Sequence, residues 1–455
     1  MPSSSPGPAS APSPVRSVVR SVVRSVVVVG AGLAGAQTLA ALRRDGFDGH
    51  VTLVGGEGVA PYDRPPLSKE LLSRSEPAWL SSELGVRVEE LADVTLLDDP
   101  AARLEPSAGS VGVVLGSGRT VTADAVVLAT GSTPVRPPGW GAATVLHTAR
   151  DAAALRAHVS AGRRLVIVGA GWIGAEVAGV AAGAGCDVTV VETAGTPLSR
   201  QLGEVVGAHL ARWYAEAGVR LVTGSQVTSV DDGGARLADG RQLPADVVLA
   251  AVGARPATAW LAGALPLDAR GAVTVDRTGR LVVPADAAPS GAPLPPGADR
   301  IWAVGDCATR EHPVFGLVPG GHWSAALHDP EVTVRALLAG GHEDGPATEP
   351  VAAHAPYVFS RQLGHDLTLF GTPSPTDDVV LRGDPRGGAS GHEGWTALYL
   401  DPTTRSTVRR ARAILVVDAP REVGAVRRLM NRDVPVDLDL TVATDLARRL
   451  RDAVV

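Results

Sequence analysis

Two strand–turn–helix units that each turn on Gly-x-Gly-x-x-Gly, an apolar strand-to-glycine segment repeated after each, and a late strand ending in Gly-Asp predict an α/β protein. The class expected is two Rossmann-like nucleotide-binding domains followed by a smaller C-terminal α+β domain. In the first unit the β-branched run Val26 to Val29 is too short for a membrane and right for a buried parallel strand. It ends in Gly30-Ala31-Gly32-Leu33-Ala34-Gly35, continues as an Ala/Leu-rich helix to about Arg44, and returns as the strand His50 to Val54. The second unit repeats the syntax with strand Arg164 to Val168, turn Gly169-Ala170-Gly171-Trp172-Ile173-Gly174, helix Ala175 to Gly183 and strand Val188 to Val191.

Ala123 to Gly131 and Ala245 to Gly253 both read Ala-Asp, an apolar strand, then glycine before a proline-containing loop, as equivalent exits from two related domains. A Pro/Ala/Gly-rich stretch from Gly279 to Asp299 predicts a surface loop before the strand Ile301 to Val304, and Gly340 to Pro350 a linker. Beyond it, alternation at Thr396 to Leu400 and Ala413 to Val417 gives the strands of the last domain. The expected division is 1–25, a disordered extension; 26–132 with 244–335, the first nucleotide-binding domain; 133–243, the second, inserted into it; and 346–455. Residues 1 to 14 are nearly all Pro, Ser, Ala and Gly and bury too little to offset ordering entropy. RSVV then repeats from Arg16, Arg20 and Arg24, superficially like a transit peptide, but its valine runs weaken a targeting helix, and an extension without function is expected.

The 455 residues suit two to four domains at roughly 100–200 residues each. With 45% hydrophobic and 20% charged residues the chain reads as globular, and no apolar stretch approaches the roughly 20 residues of a membrane span. A net charge of −6 argues against a nucleic-acid binder. Cys186 and Cys307 form no CxxC, so neither a disulfide framework nor a metal cluster is signalled, and a reducing, cytoplasmic setting is expected. Lys69 is the sole lysine.

In such turns the first glycine allows the tight bend, the second lets backbone approach a pyrophosphate, and the third lets helix pack on strand. Amides at the helix start then hold the phosphates. Gly30, Gly32, Leu33, Ala34 and Gly35, and Gly169, Gly171, Ile173 and Gly174, are therefore assigned to two dinucleotides. Glu192 directly follows its strand, where a carboxylate accepts from ribose hydroxyls and repels a 2′-phosphate, favouring NADH over NADPH. Glu57 stands further beyond its strand, which fixes its ribose role less firmly. Asp306, after Gly305, is placed to accept from a ribityl chain, and Thr130, Gly131 and Gly253 lie at the two exits.

These residues, with Pro61-Tyr62-Asp63-Arg64-Pro65-Pro66-Leu67-Ser68-Lys69, make the chain similar to the FAD-dependent, NADH-using ferredoxin reductases of the oxygenase-coupled type, in the pyridine nucleotide-disulfide reductase superfamily. The resemblance implies a glutathione reductase-like arrangement. It also implies hydride transfer from NADH to FAD, then single-electron delivery to an iron–sulfur ferredoxin serving a haem monooxygenase or a Rieske dioxygenase. The disulfide-reducing branch carries a redox cysteine in the helix after this motif; its absence here disfavours dithiol, coenzyme A disulfide and peroxide reduction.

Carried over residue by residue, Arg64 contacts the FAD pyrophosphate, Val94 the adenine, and Trp323 flanks the flavin. Lys69 sits beside the isoalloxazine as a catalytic pair with Glu176, since a buried ammonium needs an opposite charge and a cation there favours reduced flavin. Two segments depart from the pattern. Gly321-His322-Trp323 lacks the family's acid, and Tyr357-Val358-Phe359-Ser360-Arg361-Gln362 has Phe359 for tryptophan and Arg361 for an acid. An acidic ferredoxin implies a basic surface, for which the sequence offers Arg409, Arg410, Arg412, Arg421, Arg427 and Arg428. An NADH oxidase or reductase acting directly on a small molecule, and an NADH-sensing flavoprotein, remain the alternatives.

Overall fold

The computed structural model describes residues 23–284, 294–340, 354–387, 394–403 and 406–455. The expected extension up to residue 22, most of the Gly340 to Pro350 linker and the centre of the Gly279 to Asp299 loop lie outside them. Arg24 and Ser25, expected in the extension, are instead built into the fold. Ser25 opens the first strand, and the amides of both residues donate to Asp124, each at 2.9 Å.

Five parallel strands make the first sheet, in the order Ile301–Ala303, Ala125–Leu128, Ser25–Val29, His50–Val54, Val94–Leu96. The valine run is buried on both faces, with the two-residue period of a strand. Val26 and Val28 pack with Leu39 and Leu42 of the Leu33–Arg44 helix and Val334 and Leu337 of the Trp323–Leu338 helix. Val27 and Val29 face Leu104 and Val113 of a three-stranded antiparallel sheet.

Four parallel strands make the second sheet, ordered Arg220–Val222, Asp187–Val191, Arg164–Val168, Val247–Ala250. The expected boundary at 244 therefore needs correcting. Val247–Ala250 stays in the second sheet because its apolar run pairs with Arg164–Val168, as Ala125–Leu128 pairs with Ser25–Val29 in the first. The return to the first sheet follows it, where Ala254–Pro256 runs antiparallel to the outgoing Ser132–Pro134.

The C-terminal unit is an antiparallel sheet of Tyr357–Gln362, His365–Gly371, Val408–Val417, Trp395–Leu400 and Asp378–Arg382, with Val436–Asp439 added beside Val408–Val417. One face carries Phe370, Leu398 and Ile414 under Val426 and Leu429 of the Pro420–Met430 helix. The other carries Leu367, Trp395, Tyr399 and Leu415 against Leu202, Leu210 and Trp213 of the Ser199–Glu216 helix, so this sheet and the second nucleotide-binding half share a core. No helix among the described residues is long and apolar enough to cross a membrane.

Candidate functional site

Both glycine turns open into one cleft of about 1320 Å³, beyond the roughly 300–1,000 Å³ of a single small-molecule pocket. Gly30 takes φ +118°, and a Cβ there would lie 2.1 Å from the Ala129 carbonyl oxygen; one on Gly35 would lie 1.9 Å from that of Gly30. Gly169 and Gly174 reproduce this, with φ +107° and Cβ approaches of 2.4 and 2.0 Å to Ala251 and Gly169. Gly35 and Gly174 thus serve packing and do not line the cleft. Around Gly32 and Gly171 a Cβ would meet nothing within 4 Å. The fold does not require glycine at these two places, whereas a diphosphate approaching the backbone does. Each is the N-cap of its helix and offers no side-chain cap, leaving the first amides for an anion.

Leu33, Ala34, Glu57, Arg64, Lys69, Thr130, Gly131, Ile173, Glu176, Glu192, Gly253, Asp306 and Trp323 all line this cleft. Val94 does not: it begins the Val94–Leu96 strand opposite Thr52, two residues short of the carboxyl end of the strands where ligands bind. Pro100 and Ala101, beyond that strand, line the cleft instead.

The two acids are held differently. Glu192 accepts from the Ala170 and Ala194 amides at 2.8 and 2.9 Å and from the Thr193 hydroxyl at 3.1 Å. Glu57 is held by side chains, the Arg64 guanidinium at 2.7 Å and the Tyr62 hydroxyl. Burial, with Glu57 adding to it against the charge of Arg64, pushes the Tyr62 phenol up to about 12. Arg64 also donates to the His147 carbonyl at 2.5 Å. Asp306 accepts from the Ser132 hydroxyl at 3.1 Å and the Gly321 amide at 3.0 Å, while burial raises its carboxyl above the ordinary range. The missing acid at 321 thereby acquires a reason: Gly321 takes φ +106°, which side chains rarely adopt, and its amide serves Asp306.

Pro65 and Pro66 start the short Pro66–Lys69 helix, where an absent N–H is lost cheaply. From its end Lys69 Nζ reaches Glu176 Oε1 at 2.8 Å, the carboxylate being 3% exposed. Ser68 donates to the other oxygen and Ser360 to the same one. Lys69 Nζ also lies 4.8 Å from the centre of the Phe359 ring, which meets Trp323 edge-on at 6.1 Å. The Trp323 indole donates to Asp63 at 3.0 Å. Sequence reasoning missed Ser68 and Ser360. A serine 184 positions from the acid it binds leaves no local signal.

The basic surface is smaller than expected. Arg409 is buried and paired with Asp378 at 2.8 Å, Arg410 with Asp437 at 3.2 Å, and Arg412 with Asp401 at 2.7 Å, because Asp-rich strand ends lie across from this arginine-rich strand. Arg421, Arg427 and Arg428 stay exposed on the Pro420–Met430 helix, Arg427 lying 5.3 Å over the Tyr357 ring. Cys186 and Cys307 are buried and free, and no metal-binding cluster occurs among the described residues.

Comparison with known proteins gives this site a context. The pyridine nucleotide-disulphide oxidoreductase family matches residues 24–325, and the reductase C-terminal domain matches 357–454. The ferredoxin–NAD(+) reductase component of the p-cumate 2,3-dioxygenase system of Pseudomonas putida is 38% identical over 90% of this chain and 94% of its own. The corresponding benzene 1,2-dioxygenase subunit from the same species is 31% identical over 94% and 97%. Among solved structures, the covalent putidaredoxin reductase–putidaredoxin complex superposes with a TM-score of 0.74 at 27% identity, covering 94% of this chain and 98% of that one.

Proposed function

The chain belongs to the pyridine nucleotide-disulphide oxidoreductase family, and on that premise we propose that it is an FAD-dependent NADH:ferredoxin reductase. When bound, FAD would supply the chemistry, accepting a hydride from NADH and passing the electrons on singly. The observation that carries the reading is the shared cleft, where two open glycine turns converge on half-buried Lys69 and its buried partner Glu176.

The first sheet and the strand Ile301–Ala303 would hold FAD through Gly30, Gly32, Leu33, Ala34, Thr130 and Gly131, with Arg64 toward its diphosphate and Asp306 toward its ribityl hydroxyls. The second sheet, inserted between them, would hold NADH through Gly169, Gly171, Ile173, Gly253 and Glu192. Lys69 supplies a positive charge on the cleft wall, and Glu176 keeps that charge paired. Trp323 and Phe359 bring the first half and the C-terminal sheet together over the cleft and exclude water. The two buried free thiols suit a reducing, cytoplasmic setting. A two-iron ferredoxin of a haem monooxygenase or Rieske dioxygenase is the partner, steered by Arg421, Arg427 and Arg428.

Purified protein should be yellow and should lose its colour on addition of NADH. Cytochrome c should then be reduced rapidly only when a two-iron ferredoxin is added. Equal turnover with oxygen or a quinone in its absence would favour a small-molecule reductase; slow reoxidation by every acceptor would favour a sensor. Stably folded protein that takes up no FAD would overturn the whole reading.

A further inference from the structure

Glu176 is the point where three parts of the chain touch. The acid lies on the Trp172–Gly183 helix of the second half, Ser68 and Lys69 come from the first half, and Ser360 comes from the first strand of the C-terminal sheet. Oε1 accepts from Lys69 Nζ and from the Ser360 hydroxyl, and Oε2 from Ser68. Behind Ser360, the Gln362 amide donates to its oxygen at 2.9 Å, which occupies a lone pair and leaves the hydroxyl hydrogen for Glu176. Ser360 and Gln362 are 3% and 2% exposed, so neither group has water as an alternative partner.

A second contact fixes where this serine sits. Leu363, at φ +51°, turns the C-terminal hairpin against Gly179, three residues along the helix from Glu176 and on the same face. A Cβ on Gly179 would lie 2.8 Å from the Leu363 amide nitrogen, so the hairpin rests directly on the helix that carries the acid.

We infer that Ser360 is a positioning residue through which the seating of the C-terminal sheet sets the electrostatics of the flavin site. By donating to the oxygen that also holds Lys69, Ser360 draws negative charge away from it. Glu176 then grips the ammonium less tightly, and more of its positive charge remains for the reduced cofactor. The inference rests on the reading that a flavin lies against Lys69.

Anaerobic redox titration of the FAD-loaded, full-length protein tests it. Ser360→Ala should lower the flavin midpoint potential by about 30 mV, the equivalent of a tenfold change in a two-electron equilibrium and of one hydrogen bond to a charged group. NADH-driven flavin reduction should slow about tenfold at saturation, while the half-saturating NADH concentration stays unchanged, because the serine touches no part of the nucleotide. Ser360→Thr, which keeps the hydroxyl, should restore both. Gln362→Met, which frees the hydroxyl to turn away, should shift the potential in the same direction by less, and it serves as the test if Ser360→Ala does not fold. An unchanged or raised potential in either variant with FAD bound overturns the inference. Failure of the unaltered protein to bind FAD would instead remove the flavin reading on which it stands.

Discussion

The two glycine turns are near-copies in backbone geometry, yet the acids that follow them are anchored by different means. Glu192 is fixed by two backbone amides, so its carboxylate is already aimed before any ligand arrives. Glu57 is fixed by Arg64 and Tyr62, side chains that an incoming diphosphate would draw off. A rigid, backbone-held acid suits a dinucleotide that enters and leaves in each catalytic cycle, because nothing must rearrange on binding. An acid held by a displaceable arginine suits a ligand bound once and retained, since the ion pair is broken only once.

Filling the two turns would separate their roles most clearly. A Cβ at Gly32 or Gly171 would meet no protein atom within 4 Å, so a valine at either place should leave the chain folded. Gly32→Val should be colourless and should not take up FAD. Gly171→Val should be yellow yet fail to be bleached by NADH, with affinity down by more than about a hundredfold, or ~2.8 kcal/mol. Calorimetric titration with each cofactor separates the two, and if either variant bound both normally, the glycine turns would have no role in ligand binding.

That symmetry was legible in the sequence because glycine spacing, strand length and β-branched runs are local signals. One strand of each unit starts one residue before its expected bound, at Ser25 and Asp187, and the second helix starts three residues early, at Trp172. The boundary at 244 was not legible, because Val247–Ala250 and Ala125–Leu128 look alike as sequence and only strand pairing tells them apart. Lys69 and Glu176 could be paired through the resemblance, whereas Ser360 depends on how the C-terminal hairpin docks. The arginine cluster misled for a related reason: composition counts cations, while Asp378, Asp401 and Asp437 arrive from other strands and neutralise half of them.

A smaller effect sharpens the contrast between the acids. Glu192→Ser should erode the preference for NADH over NADPH by roughly ten- to a hundredfold, since setting a phosphate against a carboxylate costs on the order of 1–3 kcal/mol. Glu57→Ser should leave that preference alone. It should release Arg64 from its ion pair and alter only the affinity for FAD. Stopped-flow reduction with both nucleotides distinguishes the two, and equal rates in the unaltered protein would show that Glu192 does not face the ribose.

The smallest effect expected is a difference in acid sensitivity between the halves. Burial lowers His312, His322 and His328 to about 4, and all three lie on or beside the Trp323–Leu338 helix that packs on the first sheet. Their ordinary value is about 6.5, so the unfolded chain binds their protons first as the pH falls. The stability they contribute is complete above about 6.5 and is lost progressively toward 4. Asp306 and Asp329, raised by burial, oppose part of this by taking up protons in the folded state above the ordinary carboxylate range. In the second half Asp246 is pulled down to about 2 by the Arg164 side chain and amide, so its contribution is present above the ordinary carboxylate value and lost only as the pH falls through about 2. Mild acid, between pH ~6.5 and ~5, should therefore loosen the first half more than the second, where burial lowers His209 on the Ser199–Glu216 helix, and should lower the melting temperature by a few degrees at roughly 2–4 °C per kcal/mol. His328→Gln should flatten part of that slope. Hydrogen exchange resolved by region decides it: amides of Ser25–Val29 and Ala125–Leu128 should lose protection before those of Arg164–Val168, and the opposite order would mean that the buried histidines do not govern acid stability.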